Sequence, residues 1–135
     1  MDNKRKHLEL VVSVINRLAG NSFLIKGWAI TIVAALFALA AKDKELSFVY
    51  VAYFPIIAFW ALDGYFLRQE RLFRKLYEHV CSLDESTIDF KMDTSRFQQE
   101  VGSWLATCFS TTLLWFHAAI FVTTAVVAVL LFKGR

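Results

Sequence analysis

The sequence predicts an all-α integral membrane protein, and three observations carry that prediction. Three long apolar runs, Phe23–Ala41, Leu46–Leu67 and Trp104–Phe132, each match the roughly 20 helical residues that cross the hydrocarbon core of a bilayer. Stretches such as ITIVAALFALAA and VVAVLLF are apolar on every side, whereas a soluble helix keeps a polar face. Of the 135 residues 57% are hydrophobic, with 13 Phe and 4 Trp, more than a soluble core of this size carries. The length allows one membrane domain, 1–135, and no repeat, low-complexity tract or linker divides it.

The elements follow in order. Residues 7–19 read as an amphipathic helix, with Leu8, Val11, Val12, Ile15, Leu18 and Ala19 on one face and Glu9, Ser13, Asn16 and Arg17 on the other. This helix could lie in the membrane interface or pack against its own bundle. Gly20-Asn21-Ser22 is expected to break it, with Asn21 or Ser22 capping the next helix. The first apolar stretch is short and carries Glu9, Asn16 and Arg17, so it does not read as a cleavable signal peptide.

The first span, 23–41, carries a face of small residues: Gly27, Thr31, Ala34, Ala38 and Ala41. Close backbone approach drives helix association in lipid, so this face is expected to make the tightest contact, within the chain or between subunits. The second span, 46–67, contains Pro55, which predicts a kink because the Val51 carbonyl loses its partner. Asp63 lies near the end of that span, and an acid inside a membrane calls for a partner. Lys26 sits at a similar depth in the first span and is the candidate partner; interfacial water is the alternative.

Residues 68–103 read as a helical hairpin outside the membrane, built from extensions of the second and third spans. Arg68–Cys81 continues the second span, 82–93 turns, and Asp93 or Thr94 caps a helix over 95–103 that runs into the third span, 104–132. In the third span Ser110, His117 and Thr124 recur every seven residues, near one face, with Thr107 beside them. That stripe could line a water-filled path, or it could bond to its own helix and its neighbours. Asp63 and His117 are expected at different depths, which argues against a dyad.

Lysine and arginine set the orientation. Lys4, Arg5, Lys6, Arg17, Lys26, Arg68, Arg71, Arg74, Lys75, Lys91 and Arg96 make eleven on one side, against Lys42, Lys44, Lys133 and Arg135, four, on the other. The positive-inside rule then puts the N-terminus and middle segment in the cytoplasm and the C-terminus outside. Arg17, Arg68, Arg71, Arg74 and Lys75 form a basic side that could bind a nucleotide or other polyanion, or meet anionic lipid. No phosphate loop, catalytic triad or metal-ligand spacing occurs, and the three histidines fall in separate regions, so neither enzyme activity, a cofactor nor a metal is expected. Cys81 is expected as a reduced cytosolic thiol and Cys108 as a packing residue.

The run VINRLAGNSFLIKGWAITIVAALFAL, with Asn21-Ser22-Phe23 and Lys26-Gly27-Trp28 at its centre, resembles a group of small multi-spanning bacterial proteins, some of them anti-phage effectors. It is most similar to the transmembrane effectors of Hailong-type systems. That resemblance implies a homo-oligomeric channel of the bacterial inner membrane, a tetramer, and a nucleotidyltransferase-like partner. The partner would make a single-stranded DNA oligomer that holds the channel closed. Its loss would depolarise the membrane and arrest growth. A holin-like lytic pore and a non-conducting membrane anchor or assembly subunit remain the alternative readings.

Overall fold

The computed structural model describes residues 2–134, so Arg135 lies outside the described residues. The chain is helical over most of its apolar runs, and among the described residues there is no strand. Helix α1 runs from Asp2 to Asp43, 42 residues, about 63 Å at 1.5 Å per residue. Helix α2 runs from Ser47 to Cys81, 35 residues, about 53 Å. Both exceed the roughly 30 Å apolar core of a bilayer, so each carries a long extension outside it. A short helix α3, Trp104–Cys108, and the 23-residue α4, Thr111–Lys133, complete the bundle. Three helices, α1, α2 and α4, are long and apolar enough to cross a membrane.

A tight turn joins α1 to α2. Lys44 adopts the left-handed conformation (φ 53°), and the Glu45 amide donates to the Ala40 carbonyl at 3.3 Å. That bond satisfies a carbonyl that the helix end would leave bare. The two helices then run back along each other, and their ends build two separate cores. Outside the apolar spans, Val11 and Ile15 of α1 pack on Leu72, Leu76 and Val80 of α2, with Phe97 closing the cluster. At the far end Ala40, Leu46 and Val49 pack together, with Val127 and Leu131 of α4 against them. Between these cores only 17%, 28% and 17% of the three apolar windows is buried. Most of the side chains there are not buried within the chain.

Three expectations are corrected. α1 does not break at Gly20-Asn21-Ser22. A glycine in a helix costs only about 1 kcal/mol, and packing on both sides of it, Val11 and Ile15 before and Ala29 and Val33 after, outweighs that. The Ser22 hydroxyl is not a cap; it donates to Asp63. Residues 95–103 do not form a helix: after a single 3₁₀ turn, Ser95–Phe97, the chain is irregular. Arg68 holds this segment instead, donating from Nε to the Gly102 carbonyl (3.1 Å) and from Nη2 to Gln98 Oε1 (2.8 Å). The third apolar run is not one helix over 104–132. It breaks at Phe109 and Ser110, where Ser110 is extended (ψ 155°) and begins α4. Ser103 and Ser110 precede α3 and α4; the Ser103 hydroxyl accepts from the Ala106 amide, whereas the Ser110 hydroxyl makes no cap bond.

The face Gly27, Thr31, Ala34, Ala38 and Ala41 is exposed on the single chain. It is not packed inside the chain; on this stretch of α1 Ala29, Val33 and Ala40 are the buried residues. α2 and α3 approach closely at Gly64, where an added Cβ would collide with Cys108 Sγ. Gly64→Ala is therefore expected to destabilise the bundle by about 1–3 kcal/mol through overpacking. Cys108→Ala removes the sulfur and should recover part of that loss. Denaturation of the four proteins of this cycle in detergent measures it, and additive losses would contradict the contact.

Candidate functional site

The centre of the bundle holds a polar cluster drawn from all three long helices. Asp63 of α2 is fully buried (0% exposed), and His117 of α4 nearly so (1%). Lys26 of α1 brings Nζ to 2.6 Å from Asp63 Oδ2, and its side chain keeps 24% exposure. His117 Nε2 stands 2.7 Å from the same oxygen. The ionised carboxylate can only accept, so the imidazole donates from Nε2. Ser22 donates its hydroxyl to Asp63 Oδ1, and Lys26 Nζ donates to Ser22 Oγ at 2.8 Å. Three side chains thus satisfy one buried acid.

Aromatic rings wall the cluster. Trp60 stacks on His117 at 5.6 Å with the planes 10° apart, and Phe116 meets the imidazole edge-on at 5.0 Å. Trp60 Nε1 donates to the Cys108 carbonyl (2.8 Å), and Trp104 Nε1 donates to the Ala61 carbonyl (3.0 Å). These bonds hold α3 against α2 beside Asp63. Lys26 Nζ sits 5.8 Å from the Phe116 ring centre, within cation–π reach. Water is largely excluded, so each charge interaction here is stronger than on a surface.

The expectation that Asp63 and His117 lie at different depths is overturned by their 2.7 Å contact. It rested on a third span beginning at Trp104. Because α4 begins at Thr111, His117 lies in its second turn, level with Asp63. The polar stripe of this run also faces inward. Thr107, His117 and Thr124 are buried within the single chain, and Ser110 is half-buried. Thr107 and Thr124 donate to the carbonyls of Ser103 and Ile120, four residues back on each. These four side chains line no path on an outer face of the chain.

The basic side is largely committed. Arg68 anchors Gly102 and Gln98, Arg74 pairs with Glu70 (2.8 Å), and Lys75 lies 3.7 Å from Glu78. Arg17 is exposed and Arg71 half-buried. Neither forms an ion pair among the described residues. Cys81 and Cys108 are free thiols. Among the described residues no three His, Cys, Asp or Glu side chains are placed to share a metal ion. Comparison with protein-family models, with curated proteins and with solved structures finds no match for the chain.

The geometry predicts unequal costs for breaking the cluster. Lys26→Met leaves a fully buried carboxylate without its cation and is expected to cost about 3–5 kcal/mol. Asp63→Asn leaves a lysine that keeps its bond to the Ser22 hydroxyl and a partly exposed side chain, and should cost about 1–3 kcal/mol. The double variant should be more stable than Lys26→Met alone. Unfolding in lipid nanodiscs or detergent checks this; equal losses for the two single variants would show that Asp63 is not dry.

Proposed function

We propose that the chain is a subunit of a homo-oligomeric channel, or membrane-permeabilising effector, of the bacterial inner membrane. The observation that carries this reading is the bare face of α1. Gly27, Thr31, Ala34, Ala38 and Ala41 are exposed along a helix long and apolar enough to span. Lipid chains fill such a shallow face poorly, whereas another helix packs on it closely. An apolar cavity of about 240 Å³ adjoins it between α1 and α4, lined by Ile30, Val33, Phe37 and Ile120 among others. Lys26, Asp63 and His117 are turned toward one another inside the single chain, and Thr107 and Thr124 are bonded to their own helices. A conducting path therefore belongs between copies, or opens when the Lys26–Asp63–His117 cluster parts.

In this reading the N-terminus, the extension of α2 and the 82–103 connection lie in the cytoplasm, as the lysine and arginine skew supports. Control is exerted there, through α1 and α2, which run unbroken from that side into the spans. Arg17 and Arg71, the two residues of the basic side that make neither an ion pair nor a side-chain hydrogen bond among the described residues, are the best candidates to meet an anionic nucleotide or single-stranded DNA oligomer. The likeness of Val14–Leu39 to Hailong-type effectors supports that ligand, a nucleotidyltransferase-like partner, and a role in antiviral growth arrest. A non-conducting assembly subunit is the second reading. It is favoured by the compact core around Val11, Leu72 and Phe97, which could dock a soluble protein.

Planar-bilayer recordings of the purified chain test the first reading. Conductance is expected for the wild type, and a single-stranded oligonucleotide should suppress it. Ala34→Leu with Ala38→Leu should shift the oligomer toward smaller species and cut conductance at least tenfold without preventing insertion. Arg17→Glu with Arg71→Glu should keep conductance and lose its suppression. A silent wild-type chain would reject the channel and leave the assembly subunit.

A further inference from the structure

The fold brings together two histidines that lie far apart in the sequence. His7 of α1 and His79 of α2 line one cavity of about 200 Å³, at the junction of α1, the end of α2 and the 82–97 connection. Asp89, Lys91, Asp93 and Arg96 complete its rim. His7 is 1% exposed, and its Nδ1 is a buried nitrogen without a hydrogen-bond partner. Its Nε2 stands 2.9 Å from the Lys91 carbonyl oxygen, which only accepts, so Nε2 carries the hydrogen. In the neutral ring Nδ1 is then a lone-pair acceptor. A buried acceptor left unmatched is rare in folded proteins and points to something that supplies a donor.

The rim shows what else that partner must carry. Both carboxylates are turned into their own loops. Asp93 accepts from the Ser95 amide (2.9 Å) and hydroxyl (3.0 Å), which hold its carboxyl below the usual carboxylate range. Asp89 accepts from the Lys91 amide (3.1 Å), and its carboxyl is likewise held low. The cations are freer. Lys91 Nζ is only loosely paired, 3.9 Å from Asp89, and Arg96 commits Nη1 to His79 Nε2 at 3.0 Å while lying over the Phe97 ring. The cavity is thus lined by a histidine whose buried Nδ1 lacks a partner and by a lysine and guanidinium with donors to spare. At about 200 Å³ it falls below the roughly 300–1,000 Å³ of pockets for drug-sized ligands.

We propose that this cavity binds a small phosphate that also carries an O–H, either inorganic hydrogen phosphate or the phosphate ester of a small polyol. The O–H donates to His7 Nδ1, and the anionic oxygens accept from Arg96 and Lys91, a charge-assisted pairing. A lipid headgroup is the wrong source. From Phe23, where the apolar run begins, α1 carries His7 about 24 Å away along the helix. Bound phosphate would tie α1 to the connection, outside the spans. This site is distinct from the channel reading, and its binding is read whether or not the chain conducts.

Calorimetry on the full chain in detergent at pH 7.5 tests it, with inorganic phosphate, glycerol 3-phosphate and sulfate as probes. Sulfate has the charge and shape of phosphate but no O–H. Saturable one-to-one binding of phosphate, at least tenfold tighter than sulfate, is the expected result. Tighter binding of glycerol 3-phosphate than of inorganic phosphate would identify the ester as the better ligand. His7→Phe and Arg96→Gln should each weaken binding at least tenfold. If His7→Phe does not fold, nitrogen NMR of ring-labelled histidine in the wild type replaces it. Phosphate should then shift the His7 Nδ1 resonance and leave His117 in place. Equal binding of phosphate and sulfate, no binding, or an unmoved His7 signal would overturn the proposal.

Discussion

One carboxylate oxygen organises the bundle. Lys26 Nζ and His117 Nε2 both lie within 2.7 Å of Asp63 Oδ2, so α1, α2 and α4 meet at a single atom. Between spans in lipid there is little hydrophobic force to choose one arrangement over another, because the tails are as apolar as leucine. Polar contacts then carry more of the selection. An ionised Asp63 away from both partners would stand bare in an apolar medium, at a cost of several kcal/mol. That penalty fixes the rotation of α4, which turns His117 and Thr124 inward. It also fixes the depth at which α4 meets α2.

The remaining features serve that meeting point. α3 stops at Cys108, and the chain turns at Phe109 and Ser110 before α4 begins. The turn lets Trp60 reach the Cys108 carbonyl while its ring lies flat against His117. Gly64, one residue after Asp63, has no side chain because Cys108 Sγ occupies that space. Away from the spans a different force takes over. Val11, Ile15, Leu72, Leu76, Val80 and Phe97 form a core of the ordinary water-driven kind. α1 and α2 belong to both regions, so a change at the outer core has a rigid path to Asp63.

Much of this was legible in the sequence, for reasons that differ by element. The three apolar runs announce themselves because crossing a bilayer sets a length and excludes charge. Lys26 and Asp63 could be paired by depth alone, since each is costly there. The inward face of Val11 and Ile15 follows from helical spacing. Three things were hidden. Gly20-Asn21-Ser22 looks like a break, yet a long partner helix overrides local propensity. Ser110 reads as part of a continuous polar stripe, yet its extended backbone interrupts the helix and begins α4. That shift moved His117 to the level of Asp63. The meeting of His7 with His79 depends on how the connection folds back, which no local pattern encodes.

The shared oxygen of Asp63 is the point on which the account stands. Solid-state NMR of the chain in lipid bilayers, with ¹⁵N-histidine and ¹³C-aspartate labels, observes it directly. The account predicts a through-space correlation between His117 Nε2 and the Asp63 carboxyl carbon, with the hydrogen on Nε2, as their 2.7 Å contact demands. The absence of that correlation, with an imidazole freely exchanging with water, would contradict it.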